Sequence, residues 1–133
     1  MTRTSLSVAA LMIIGAASYF HVGLAQPSGV TRVALQQREL SVPNREVVQV
    51  RVELAQGVAF PRHTHPGDEI VYVLEGALEY HVAGRTPETL KAGQVSFIPA
   101  GTIHSVRNVG RSNGVELATY IVVKGEPLLS FVE

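Results

Sequence analysis

Four side chains in this sequence have the types and the spacing to hold one metal ion. His63 and His65 stand two residues apart, and on an extended strand, where successive side chains leave opposite faces, that spacing sends both imidazoles to the same side. Pro66, Gly67 and Asp68 make a turn-prone insert, after which Glu69 shares the odd-numbered parity and can bring a carboxylate back to the two rings. A third imidazole, His104, comes from a distant segment, so the site is complete only when the chain has folded. Three nitrogens with one hard oxygen suit Fe(II), Mn, Ni, Cu or Zn, and six-coordinate geometry leaves two positions for substrate, oxygen or water. The chain has no cysteine, which excludes thiolate nucleophiles, disulfides, iron–sulfur clusters and Cys-based zinc sites together.

The elements that must position these residues read as strands. From Val30 onward the sequence runs in short β-branched stretches punctuated by Gly, Pro and Asn, with no sustained helical stripe. The pattern predicts strands over Thr31 to Leu40, Glu46 to Leu54, Glu69 to Leu74, Ala77 to Val82, Glu88 to Leu90, Val95 to Ile98, His104 to Asn108 and Val115 to Val123. Strands so short and so closely spaced imply a closed or double-sheet barrel, which hides the edges a flat sheet would expose. In Glu69 to Leu74 both faces are apolar: Ile70, Tyr72 and Leu74 alternate with Val71 and Val73. One set can line the barrel; the other needs cover from the second sheet, the N-terminal strand or a second subunit, so a homodimer is among the expectations.

Glycines and a proline around the ligands carry more information than the histidines alone. Gly57, His63, His65, Glu69 and Gly76 fit the pattern G-x5-H-x-H-x3-E-x6-G, and Gly93, Pro99, Gly101, His104 and Asn108 fit G-x5-P-x-G-x2-H-x3-N. Either five-position pattern arises by chance with a probability on the order of one in a million per starting point. Both match the two cupin motifs without a departure, and the chain resembles a small single-domain bacterial cupin. The resemblance covers Gly57 to Asn108 by motif and, through the strand pattern, Thr31 to Val123. It implies an all-β double-stranded β-helix, a jelly-roll-like conical barrel with the metal near its wider mouth. It implies no reaction, because relatives of this fold include dioxygenases, isomerases, sugar-modifying enzymes, storage proteins and ligand sensors.

Parity assigns the remaining groups. His81 shares a face with Glu79, opposite Leu78, Tyr80 and Val82, and is expected in solvent; Arg62 and Arg107 neighbour ligands but have the opposite parity. Asn108 is expected to bond backbone at a strand end. Val71, Val73, Val106, Tyr80, Tyr120 and one of Val95 or Phe97 are the candidates to line the pocket. Such a pocket offers no obvious second carboxylate, lysine or serine, so chemistry would run through the metal and its bound water or through Glu69, and a flat or aromatic ligand is favoured over a highly charged one.

Of the 133 residues 46% are hydrophobic and 17% charged, which suits one compact domain. Eleven basic residues balance eleven acidic ones, giving no reason to expect nucleic acid or anionic lipid as a partner. Arg3, the apolar run Leu6 to Ala17 and the more polar Ser18 to Ala25 follow the order of a secretory signal peptide. Gly23 and Ala25 place cleavage before Gln26, with a second candidate after Ser18, leaving residues 26–133 as the barrel domain in the periplasm or secreted. Without cleavage, Thr4 to Leu24 could instead anchor the chain. There is no twin arginine and no lipobox cysteine.

Three functions compete on these residues. The first is a metal-dependent dioxygenase on a small phenolic or enol substrate, similar to the quercetinase-like cupins, with Glu69 as ligand and proton acceptor. The second is a non-catalytic protein that binds metal or a small ligand. The third is an isomerase or lyase on sugar acids, for which the sequence shows no evident basic residue to hold a carboxylate.

Overall fold

The computed structural model describes residues 26–133. These form ten strands: β1 (Val30–Glu39), β2 (Arg45–Leu54), β3 (Ala59–Thr64), β4 (Gly67–Glu75), β5 (Ala77–Val82), β6 (Glu88–Lys91), β7 (Val95–Ile98), β8 (His104–Asn108), β9 (Gly114–Val123) and β10 (Ser130–Phe131). Among the described residues there is no helix. Two five-stranded antiparallel sheets face each other, with orders β1-β2-β9-β4-β7 and β10-β3-β8-β5-β6. The segment read as a signal peptide lies outside the described residues.

Alternation builds the barrel. On β2 the even residues Val48, Val50, Val52 and Leu54 are buried, and on β4 the odd residues Glu69, Val71 and Val73 are buried. They meet Leu78, Tyr80 and Val82 of β5 and Val106 of β8 from the other sheet. Deleting a side chain as enclosed as Leu54 or Leu78 costs about 2–5 kcal/mol, so the interior tolerates little rearrangement.

Two strands escape the sequence pattern. β3 reads Phe60-Pro61-Arg62-His63, without alternation, because Pro61 has no N–H to give the ladder; the register shifts between Phe60 and His63. β10 is two residues long and pairs Ser130 and Phe131 with Thr64 and His63. Gly67 and Asp68, expected in a turn, belong to β4 instead. Gly67 pairs with Val122 so closely that a Cβ there would stand 2.0 Å from the Ile121 carbonyl oxygen. At Gly76 a positive φ of 78° makes the β4–β5 turn, a conformation that a side chain disfavours.

The N-terminal strand does not cover the outer face of β4. It pairs with β2 at the far edge of its sheet, leaving Ile70, Tyr72 and Leu74 exposed.

Candidate metal centre

Both sheets contribute to one point in the barrel. His63 near the end of β3 lies opposite His104 at the start of β8, and His65 follows one residue beyond β3. From the other sheet Glu69 on β4 faces inward, opposite Tyr120 of β9. All four side chains are buried. Ligand atoms of the three imidazoles lie within 4.8 Å of one another, and the His63 and His104 ring centroids are 4.1 Å apart. These three histidines could hold a metal ion.

Backbone carbonyls fix the rings. Nδ1 of His63 donates to the Pro61 oxygen at 2.7 Å, that of His65 to the Leu128 oxygen at 2.6 Å and that of His104 to the Thr102 oxygen at 2.9 Å. With the proton on Nδ1 in each ring, each Nε2 keeps its lone pair for a metal. Glu69 Oε2 stands 2.9 Å from His104 Nε2 and 3.4 Å from His65 Nε2. With the rings neutral and protonated at Nδ1, neither His65 Nε2 nor Glu69 Oε2 has a hydrogen-bond partner, although both are buried; in the metal-free protein a second proton on His104 supplies one to Glu69. Lone-pair atoms gathered in a low-dielectric interior call for a shared positive charge, and a divalent cation fits that donor set.

The titration shifts follow from the same crowding. Burial, assisted by the neighbouring His104, lowers His63 to about 3, so this ring stays neutral. Burial would also strip His104 of its second proton, but the hydrogen bond and charge of Glu69 outweigh it and raise its pKa. For Glu69 burial favours the neutral acid; hydrogen bonds and charge from His104 and His65 overcome that and hold the carboxyl well below the usual range.

Lining the cavity beside these ligands are Tyr80, Val106 and Tyr120, as parity predicts, together with Arg32, Val52, Phe60, Glu116 and Leu129. Val71 and Val73 are core rather than cavity wall, and Val95 and Phe97 face outward and are exposed. The expectation of a pocket without a second carboxylate or a basic group therefore fails on two residues. Glu116 of β9 is buried and accepts a hydrogen bond from the Tyr80 hydroxyl. Burial and the charge of Glu69 push its carboxyl up to about 7. Arg32 of β1 reaches the same row across β2, since Arg32 pairs with Val52 and Val52 with Glu116. Its guanidinium carbon lies 6.0 Å from the Phe60 ring centroid, and it has no carboxylate partner among the described residues. Parity could have found Glu116, which shares a face with Tyr120. It could not have found Arg32, because a register irregularity between Ala34 and Gln36 changes which side of β1 faces in.

The cavity is small, with about 20 Å³ open to the centre of a water molecule. One water needs roughly 10–15 Å³ on that measure, so the enclosed space beside the ligands is of the order of one or two waters. His81 is exposed and bonded to Glu79, and Arg62 and Arg107 are exposed, as parity predicts. Asn108 donates to the Leu54 and Ser112 oxygens and accepts from the Gly110 N–H, a role in joining loops.

Comparison with known proteins adds three relatives and a family. A family model for the cupin domain matches residues 50–123. A germin-like protein, subfamily 2 member 2, of Arabidopsis thaliana is 30% identical over 118 residues, which cover 77% of this chain and 52% of that protein. An oxalate-binding protein of Thermotoga maritima is 33% identical over 81 residues, 60% of this chain and 66% of its own. The crystal structure of the DMSP lyase DddQ from Ruegeria pomeroyi superposes with a TM-score of 0.59 at 26% identity, over 65% of this chain and 43% of that one. The chain spans about half the length of the germin-like relatives it matches.

Proposed function

The chain belongs to the cupin family, and on that premise we propose that it is a metal-dependent enzyme that removes a proton from carbon in a small carboxylate substrate. The observation that carries this reading is the shared cavity: an unpaired guanidinium, Arg32, and a buried carboxyl, Glu116, flank the metal-ligand cluster. His63, His65, Glu69 and His104 would hold one divalent ion, which when bound supplies a Lewis acid for a substrate oxygen. Arg32 offers paired N–H donors that match a carboxylate and would orient it. Glu116 accepts the proton, and the Tyr80 hydroxyl that donates to it holds its orientation. The base assignment moves from Glu69 to Glu116 for an electrostatic reason. Glu69 is held far below the carboxylate range by the imidazoles and is a poor base, whereas a carboxyl at about 7 is matched to neutral pH. The names of two relatives, an oxalate-binding protein and a DMSP lyase, describe carboxylate ligands and support the substrate class.

Proton–deuterium exchange tests the proposal. Metal-loaded protein should exchange the acidic carbon-bound proton, at C3 of small 2-oxo acids and at C2 of 3-substituted acids, read by NMR in deuterated buffer. Glu116→Gln should keep the metal and lose the exchange. A dioxygenase on a phenolic or enol compound, the reading drawn from the ligand set alone, would instead consume oxygen with unaltered dependence on Glu116. Metal binding with neither exchange nor oxygen uptake would leave a binding protein.

A further inference from the structure

The sheet that carries β3, β8 and β5 holds a second and wider recess. An open groove of about 400 Å³ is lined in part by Arg62, His81, Val82, Arg85, Ile103 and Ser105, and it reaches His104, which is thus a common wall with the metal-ligand cavity. No carboxylate lines it. Register gathers its polar groups. His63 pairs with His104, so Arg62 and Ser105, the next residue on each antiparallel strand, adjoin, and Ser105 in turn pairs with His81. Arg85 comes from the turn after β5, where its N–H donates to the Val82 oxygen and Gly84, at a φ of 80°, takes the left-handed position that such a turn requires. Nη1 of Arg85 donates to the Phe97 oxygen at 2.9 Å, which holds the guanidinium without neutralising it. The surface cations Arg51 and Lys124 are paired with Glu53 and Glu39, but neither Arg62 nor Arg85 has a carboxylate partner among the described residues. The acid of β5 on this face, Glu79, is bonded to His81 and lies opposite Arg107 in the register, so the row keeps a positive excess in a chain whose total charge balances.

We infer that this groove is a binding site for a phosphate group, free or carried on a small molecule. Each guanidinium presents planar, paired N–H donors that match two phosphate oxygens, and two of them balance a dianion where a monocarboxylate needs only one. The Ser105 hydroxyl adds a further donor to the same recess. The volume falls within the range of small-ligand sites, about 300–1,000 Å³, and Val82 and Ile103 offer apolar surface to an organic body attached to the phosphate. The site shares a wall with the metal centre and rests on none of the chemistry proposed there.

Amide chemical shifts of isotope-labelled protein give the test. At about pH 8, where phosphate is a dianion, inorganic phosphate should shift the amides of Ala83, Gly84, Arg85 and Ser105 along one saturating curve, with a dissociation constant on the order of 1 mM. The curve should be the same in zinc-loaded and in chelated protein. A hexose phosphate that binds more tightly marks an ester as the ligand, and equal affinity marks free phosphate; either supports the site. Arg62→Gln with Arg85→Gln should weaken binding at least about tenfold, while Arg38→Gln, exposed on β1, leaves it unchanged. Should the double variant fail to unfold cooperatively, Arg62→Gln alone serves, since Arg85 then keeps its bond to Phe97. Shifts that arise equally with chloride or acetate at the same ionic strength, that spread over all the exposed arginines, that survive in the folded double variant, or that require bound zinc overturn the inference.

Discussion

Replacing Glu116 by Gln asks whether this carboxyl is neutral in the folded interior near neutral pH. Its pKa rises from 4.5 to about 7 because burial and the charge of Glu69 both disfavour the ion. At 1.36 kcal/mol per unit, ionising it inside the barrel costs about 3 kcal/mol. The folded value lies above the unfolded one, so the stability this group contributes is fully present below about pH 4.5 and is lost as the pH rises through about 7. Gln carries no such dependence. Urea unfolding of metal-free protein, followed by far-UV circular dichroism, should therefore show Glu116→Gln gaining about 2.5 kcal/mol on the wild type between about pH 5 and about pH 8.5. Glu69 has the opposite dependence, because its lowered pKa contributes stability above the usual carboxylate range that is lost in acid, but it is present in both proteins and cancels to first order. A difference that stays flat across this interval would refute the assignment of a raised pKa, and with it the choice of Glu116 as base.

The other predictions are more direct. His104→Ala should weaken metal binding at least about tenfold by titration calorimetry, whereas His81→Ala, exposed and paired with Glu79, should leave it unchanged. Arg32→Ala should raise KM for a carboxylate substrate with little change in metal content, measured with the exchange assay. Gly67→Ala should destabilise the fold by at least about 3 kcal/mol in urea, since its Cβ would overlap the Ile121 carbonyl across the β4–β9 ladder. N-terminal sequencing of exported protein should begin at Gln26; an intact Met1 in the membrane fraction would mean an anchor.

What could be read from the sequence was whatever a period of two encodes. Tyr80, Val106 and Tyr120 face the cavity and His81 and Arg107 face water because β5, β8 and, from Glu116 onward, β9 alternate. The spacing of His63, His65 and Glu69 was legible as well, being local. β3 was not, since Pro61 and Arg62 break both the ladder and the apolar pattern, although this strand presents His63. Arg32 and Leu129 were hidden for a different reason. They reach the cavity from the two ends of the described chain, and only the packing of β1 and the C-terminal residues decides which side chains turn inward. Glu116 was missed, although its alternation with Ala118 and Tyr120 puts it on the cavity side of β9.

The bond from His65 Nδ1 to the Leu128 oxygen spans 63 positions, and β10 then pairs with Thr64 and His63 while the Phe131 ring rests 5.7 Å from Phe60. Residues 128–131 thus act as a buckle over the ligands, so ion binding and the docking of this segment stabilise each other. Fraying of Leu128 to Phe131 frees the His65 ring to rotate, and a bound ion holds the tail down by the same free energy. Amide exchange at Ser130 and Phe131 should be slower in the metal-loaded protein than in the metal-free one.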